Sequence, residues 1–320
     1  MSDVRPIGLS ELCDLLLSIE NPLVVMHIRP DGDTVGSAAA LAEIFKGLGK
    51  NAPYACADEI PERLRFLVEG IEPAEHPESY EAVTVDVPSP MQVGELLDRL
   101  NVICSIDHHK RSTPFAPHYT LGDISSAGEV MYLVAEELVR RGVLKMTKRI
   151  AERLYAAISS DTGRFAYTSA TAETYRIAAS LISVGIDHAE INRRLFASKS
   201  LVEIRAEGFV GERVRSAGDG SIAYAVISKA ERDAAGIPFP AFETAIDIVR
   251  QLRGSSLSFI VKETDKGEFK ASLRSVERDV SEIASRHSGG GHIRAAGCTV
   301  VAGSAEEAAA ILIDELTSII

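Results

Sequence analysis

No apolar run in this 320-residue chain approaches the roughly 20 residues that a membrane helix needs. The opening Met1-Ser2-Asp3-Val4-Arg5-Pro6 also lacks the basic-then-apolar order of a secretory leader. Both absences set the expectation of a cytoplasmic protein without membrane contact. Cysteine is scarce: Cys13, Cys56, Cys104 and Cys298 stand far apart with no C-x-x-C pair. A disulfide framework or a zinc cluster is therefore not expected, and the four read as reduced, mostly buried thiols. No G-x-S-x-G elbow occurs and no cysteine adjoins a histidine, so a serine or cysteine nucleophile has little support. Basic residues fall short as well, 34 against 46 acidic ones for a net charge of -12. Affinity for long polyanions rests on phosphate neutralisation, so long nucleic acid is not an expected partner. A short phosphorylated substrate is still compatible, because bound cations can reverse the local sign within one cleft.

What the chain does have is length and apolar content, 46% hydrophobic, enough for two domains with their own cores. Leu9, Leu12, Cys13, Leu16 and Leu17 follow the spacing of an amphipathic helix. The apolar run Leu23-Val24-Val25-Met26 predicts a strand, residues 28–33 a turn, residues 36–45 a helix and residues 51–54 another strand. This strand-helix unit recurs around Asn101-Val102-Ile103-Cys104, with helices expected at 95–100 and 126–141. The alternation predicts an α/β fold, a mostly parallel sheet with helices on both faces. Residues 171–184 read as a helix closed by Gly185. The expected domains are 1–188, a helical and basic connector at 189–207, and a smaller mixed α/β domain at 208–320. In the last, strands are expected at 221–227, 257–262 and 268–273, flanking a helix at 242–252.

Four segments each deliver ionisable residues just beyond an apolar run: His27 with Asp31 and Asp33, Asp86, Asp107-His108-His109, and Asp161 in a loop after a helix through Leu154 and Ile158. In an open parallel sheet these carboxyl-side ends form the ligand crevice. Each fragment alone has an ordinary explanation, a turn, a helix cap or a hydrogen-bonded core histidine, and it is their coincidence on one edge that points to a site. Five carboxylates in one cleft repel unless cations are bound. Mixed imidazole and carboxylate donors suit Mn²⁺, Co²⁺ or Fe²⁺ better than Mg²⁺. Two ions sharing one carboxylate would hold a hydroxide and both oxygens of an in-line phosphoryl displacement. A second cluster, Gly289-Gly290-Gly291-His292 followed by Ala295-Ala296-Gly297, offers backbone N–H groups to an anion, and Arg274 at the end of an expected strand could clamp a phosphate with two hydrogen bonds.

Together these motifs resemble the DHH phosphoesterase family, in the branch with a C-terminal DHHA1 domain, over nearly the whole chain. The resemblance implies that His27, Asp31 and Asp86 hold one Mn²⁺ and that Asp33, Asp86, His108 and Asp161 hold the other, with Asp86 bridging. It implies that Asp107 orients a histidine and that His109 donates to the scissile phosphate. Arg274, Gly289, Gly290, Gly291 and His292 would bind the nucleotide. The compact two-domain form looks like the type that degrades very short RNA and dephosphorylates 3′-phosphoadenosine-5′-phosphate, with cyclic-dinucleotide or linear dinucleotide hydrolysis as an alternative. Two-domain members are commonly homodimers. A manganese inorganic pyrophosphatase shares the first-domain motifs, but pyrophosphate has no base or ribose for the glycine loop to hold. A nucleotide-binding module without turnover has no need of two metals and a spare histidine.

Overall fold

The computed structural model describes residues 4–320, which divide into a unit ending at Ser198 and one beginning at Lys199. In the first, α1 (Leu9–Ser18) leads into β1 (Pro22–Val25), and α2 (Gly32–Gly47), β2 (Tyr54–Ala55), β3 (Glu81–Val85), β4 (Asn101–Asp107) and β5 (His118–Thr120) follow. Next come α3 (Ala127–Arg140), α4 (Lys148–Asp161), α5 (Ala172–Ser183) and α6 (His188–Phe196). The five strands pair in parallel in the order β2-β1-β3-β4-β5. That order reverses direction between β1 and β3, and in doubly wound sheets ligands bind beyond the strands' carboxyl ends at such a point.

Strand alternation divides the core. Val24, Val83 and Ile106 face a large cluster with α1, α2, α3 and α4, while Leu23, Val25 and Ala82 face a smaller one with Val93, Leu96 and Leu97. The covering segment on this second face, Pro90–Arg99, is 3₁₀ rather than the α-helix expected at 95–100, because Gly94 at φ 69° interrupts any longer helix. The helical run expected at 189–207 is two helices. α6 stops at Phe196, and Ser200 starts the next with a capping box to Glu203.

The second unit contains α7 (Leu201–Gly211), β6 (Arg215–Ala217), β7 (Ile222–Ile227), α8 (Lys229–Ala234), α9 (Ile246–Val249), β8 (Leu257–Glu263) and β9 (Phe269–Ser275). It ends with α10 (Ser281–Arg286), β10 (Gly290–His292), β11 (Ala295–Val300) and α11 (Ala305–Thr317). Its sheet is mixed, ordered β10-β11-β9-β8-β7-β6, with only β7 and β8 parallel. The helix expected at 242–252 shrinks to α9. Its apolar period is real, since Phe242, Ala245, Ile246 and Val249 are all buried, but Pro238 and Pro240 precede it and Gly254 at φ 93° follows it. Among the described residues no helix is long and apolar enough to cross a membrane.

Candidate metal centre

His27 lies two residues past β1, Asp86 immediately past β3, Asp107 is the last residue of β4, and His108 and His109 follow it. Asp31 is the N-cap of α2, its Oδ1 accepting from the Asp33 and Thr34 amides at 2.9 and 3.1 Å. Asp33 sits in the first turn of α2. Asp161 is the final residue of α4, not a loop residue as the sequence suggested, because the helix continues until Gly163 turns the chain at φ 55°.

These side chains form three groups with donor atoms within 4.8 Å of one another: His27, Asp31 and Asp86; Asp33, His108 and Asp161; and Asp86, Asp107 and His109, the first and third sharing Asp86. Asp86 presents different oxygens to different groups. Its Oδ2 is 3.6 Å from His27 Nε2, and its Oδ1 is 3.5 Å from His108 Nε2 and from His109 Nδ1. His27 Nε2 also stands 3.9 Å from Asp31 Oδ1, and His108 Nε2 stands 3.6 Å from Asp33 Oδ2 and 3.8 Å from Asp161 Oδ2. Separations of this kind are long for hydrogen bonds and suit donors that share an ion.

The electrostatics agree with that reading. Asp86, 2% exposed, has its carboxyl driven well above the usual carboxylate range, first by burial and then by the neighbouring Asp33, Asp31, Asp107 and Asp161. Its buried Oδ1 accepts no hydrogen bond. Asp33 is pushed up likewise, by burial and by Asp161 and Asp31, against the pull of two backbone amides. Burial, followed by the charge of His109, lowers His108 to about 4, so its ring is neutral at pH 7. His27 Nδ1 lies 2.7 Å from the Ile28 carbonyl, which can only accept, so Nδ1 donates there and Nε2 is the nitrogen turned toward the carboxylates. Buried acids whose carboxyls are driven upward, beside imidazole nitrogens 3.5 to 3.6 Å away, fit a divalent cation set. Asp107 and His109 form a different pair. Burial pushes the Asp107 carboxyl up, but the 2.8 Å hydrogen bond and the charge of His109 outweigh it and hold Asp107 low; the same bond raises His109 although burial opposes it.

Asp86 adopts φ 62°, a left-handed backbone rare outside glycine, fixed by its N–H donating to the Ile106 carbonyl at 2.8 Å. This places its carboxylate between the two groups. Sequence reasoning did not find the groups that hold Asp33: the Ala127 and Gly128 amides, at 2.7 and 2.9 Å, and the Ser37 hydroxyl at 3.1 Å. The donating amides open α3 and lie 94 and 95 positions away, so no local pattern could have paired them with Asp33.

In the second unit, cross-strand register places His292 opposite Ala295, and Ala295 opposite Arg274. The two candidate side chains thus share a sheet face, about 10 Å apart across a small residue. The glycine cluster is a packed hairpin. A Cβ on Gly289 would meet the Gly297 carbonyl at 2.2 Å, one on Gly291 (φ 136°) would meet the Ala295 carbonyl at 2.5 Å, and only Gly290 has open space.

A parallel sheet whose strand ends converge on doubled histidine and aspartate groups defines a metal-dependent phosphoesterase. The chain belongs to the DHH/DHHA1 phosphoesterase family: residues 21–158 match the DHH family N-terminal domain and residues 219–318 the DHHA1 domain. It is 31% identical over 300 residues, 90% of this chain and 87% of the relative, to the bifunctional oligoribonuclease and PAP phosphatase NrnA of Thermus thermophilus. It is 26% identical to the protein of the same name in Bacillus subtilis, over 95% of this chain and 96% of that one. Its fold is similar to the crystal structure of an exopolyphosphatase-related protein from Bacteroides fragilis, with a TM-score of 0.87 at 22% identity over 97% of this chain and 96% of that one.

Proposed function

We propose that the protein is a Mn²⁺-dependent phosphoesterase that hydrolyses short oligoribonucleotides and 3′-phosphoadenosine-5′-phosphate. The observation that carries this reading is Asp86, a buried carboxylate aimed with one oxygen at His27 and the other at His108, between two sets of metal donors. His27, Asp31 and Asp86 would hold one ion; Asp33, Asp86, His108 and Asp161 would hold the second. Bound there, two ions supply charge to neutralise the phosphate and lower the pKa of an attacking water. The protein's own part is positional. Asp107 holds the His109 ring, and His109, kept protonated more readily than a free histidine, donates to the scissile phosphate. Arg274, His292 and the Gly289, Gly290 and Gly291 hairpin would grip the rest of the nucleotide. The names of the relatives, oligoribonuclease and PAP phosphatase, support the substrate class.

Chelator-stripped protein titrated with Mn²⁺, Co²⁺ and Mg²⁺, with chromatographic analysis of products from a dinucleotide, a cyclic dinucleotide and 3′-phosphoadenosine-5′-phosphate, tests the proposal. Turnover with Mn²⁺ or Co²⁺ and weak turnover with Mg²⁺ is the expected result, since imidazole donors disfavour Mg²⁺. Equal rates with Mg²⁺, or no product from any of the three, would remove it.

A further inference from the structure

Gly128 occupies the second position of α3, where alanine is ordinarily the better helix former. Its environment gives the reason for glycine. A Cβ built there would lie 2.7 Å from the Ala157 Cβ, 3.0 Å from the Ile158 amide nitrogen and 3.1 Å from Ile158 Cγ1. Ala157 is mid-helix in α4 and has no flexible end that could swing away. The same methyl lies 2.9 Å from where a Cβ on Gly36 of α2 would stand, with the Arg153 carbonyl at 2.9 Å. Helices α2 and α3 therefore both seat against one residue of α4.

That seam lies directly behind the Asp33 carboxylate. The Gly128 amide donates to Asp33 Oδ1 at 2.9 Å and the Ala127 amide to Oδ2 at 2.7 Å, so the first turn of α3 sets the carboxylate's direction. Asp33 Oδ2 faces His108 Nε2, which also faces Asp161, the last residue of α4. The α4 helix thus carries one donor and, through Ala157, determines how closely the clamp on another can approach. We propose that Gly128 is a positioning residue for the cation site of Asp33, His108 and Asp161: its missing Cβ lets the opening turn of α3 close on α4 and aim the Asp33 carboxylate. The inference rests on the two-ion reading above. It predicts an unequal effect, because Asp31 of the other group takes two amides from its own helix, α2.

The test is calorimetric titration of Mn²⁺ into the full-length, chelator-stripped protein, with the metal-free Tm measured in parallel, for wild type, Gly128→Ala, Ala157→Gly and the double variant. Gly128→Ala is expected to weaken one of two binding steps by about 10- to 100-fold, the range for residues that orient a ligand, and the other by less than about threefold. Removing the Ala157 methyl takes away the closest contact and leaves those at 3.0 and 3.1 Å, which need a shift of only a few tenths of an ångström, so the double variant is expected to bind as Ala157→Gly does. Two wild-type steps in Gly128→Ala would overturn the inference alone. So would parallel weakening of both steps, or a double variant that regains Tm while the weakened step stays weak. Should Gly128→Ala not fold, the double variant decides: binding equal to Ala157→Gly supports the inference, and a single weakened step overturns it. A wild type with no tight Mn²⁺ step would overturn the two-ion reading and this inference with it.

Discussion

The two units treat charge in opposite ways. In the first, Asp33, Asp86, Asp107 and His108 are each no more than 6% exposed, and the Asp33 and Asp86 carboxyls are driven upward by burial and by one another. In the second, Arg274 and His292 are half-buried on a sheet face, and Gly289, Gly290 and Gly291 are exposed. Burying like charges costs free energy, and in the first unit the amides on Asp33 and the His109 ring beside Asp86 do not bring either carboxyl back to its usual range, which suits a site that takes cations. The second unit leaves these candidate residues open to solvent, which suits recognition of an anion that arrives from there. On the proposed function this becomes a division of labour: the first unit would govern turnover of every substrate, and Arg274 and His292 would matter only for substrates with more to hold than the scissile phosphate.

The largest expected effect comes from Asp86→Ala, which on the proposed function would remove an oxygen from each of the two donor sets. Activity on a dinucleotide and on bis-p-nitrophenyl phosphate should both fall by more than about 1,000-fold, beyond the range for orienting partners. Metal content by mass spectrometry should fall with it, and unchanged metal content would break the first half of the comparison. Asp107→Asn keeps the shape but weakens the grip on His109, so a loss of about 10- to 100-fold with metal retained is expected. Equal losses in the two variants would erase the distinction between holding an ion and orienting a ring.

The second half is sharpened by Arg274→Ala and His292→Ala. Each should lower kcat/KM on a dinucleotide by about 10- to 100-fold, the loss of a charged hydrogen bond of about 1.5 to 3 kcal/mol, and leave the small ester untouched. Initial rates on RNAs of two, five and twenty nucleotides add a check, because a chain of net charge -12 should disfavour the longest. A twenty-mer cut as fast as the dimer, or an ester rate that falls in both variants, would show that the units do not divide the work.

The smallest effect concerns the second unit's own buried charge. Lys262 is 8% exposed, its Nζ donates to the Phe242 carbonyl at 3.2 Å, and burial lowers its pKa to about 8. A lysine whose folded pKa is below its unfolded value near 10.5 destabilises the fold below pH 8, and that cost disappears as pH rises from 8 to 10.5. Lys262→Met should therefore stabilise the protein at pH 7 by about 1 to 3 kcal/mol and by much less at pH 10.5. Denaturant titrations at the two pH values measure the difference, and a gain that does not shrink with pH would mean that Lys262 is not held as a strained buried charge.

Much of the candidate site was legible in the chain because its signal is local. An apolar run followed by His27, by Asp86 or by Asp107-His108-His109 marks a buried strand ending in donors, and side-chain alternation and helical period are properties of neighbouring residues. The same local rules located β1, β3, β4 and helices α1 to α5 and set the class of fold. They misjudged Pro90–Arg99, where one glycine conformation outweighed helical spacing, and the helix at 242–252, where flanking prolines shortened a correctly read apolar face. Which donors meet was decided only by tertiary structure. The left-handed Asp86 backbone depends on pairing with Ile106, the aim of Asp33 depends on amides 94 and 95 positions away, and the room for those amides depends on a methyl in a third helix. The sequence alone determined which residues could hold cations. How helices pack at close range, a property no window of neighbouring residues contains, decided the distances at which they would do so.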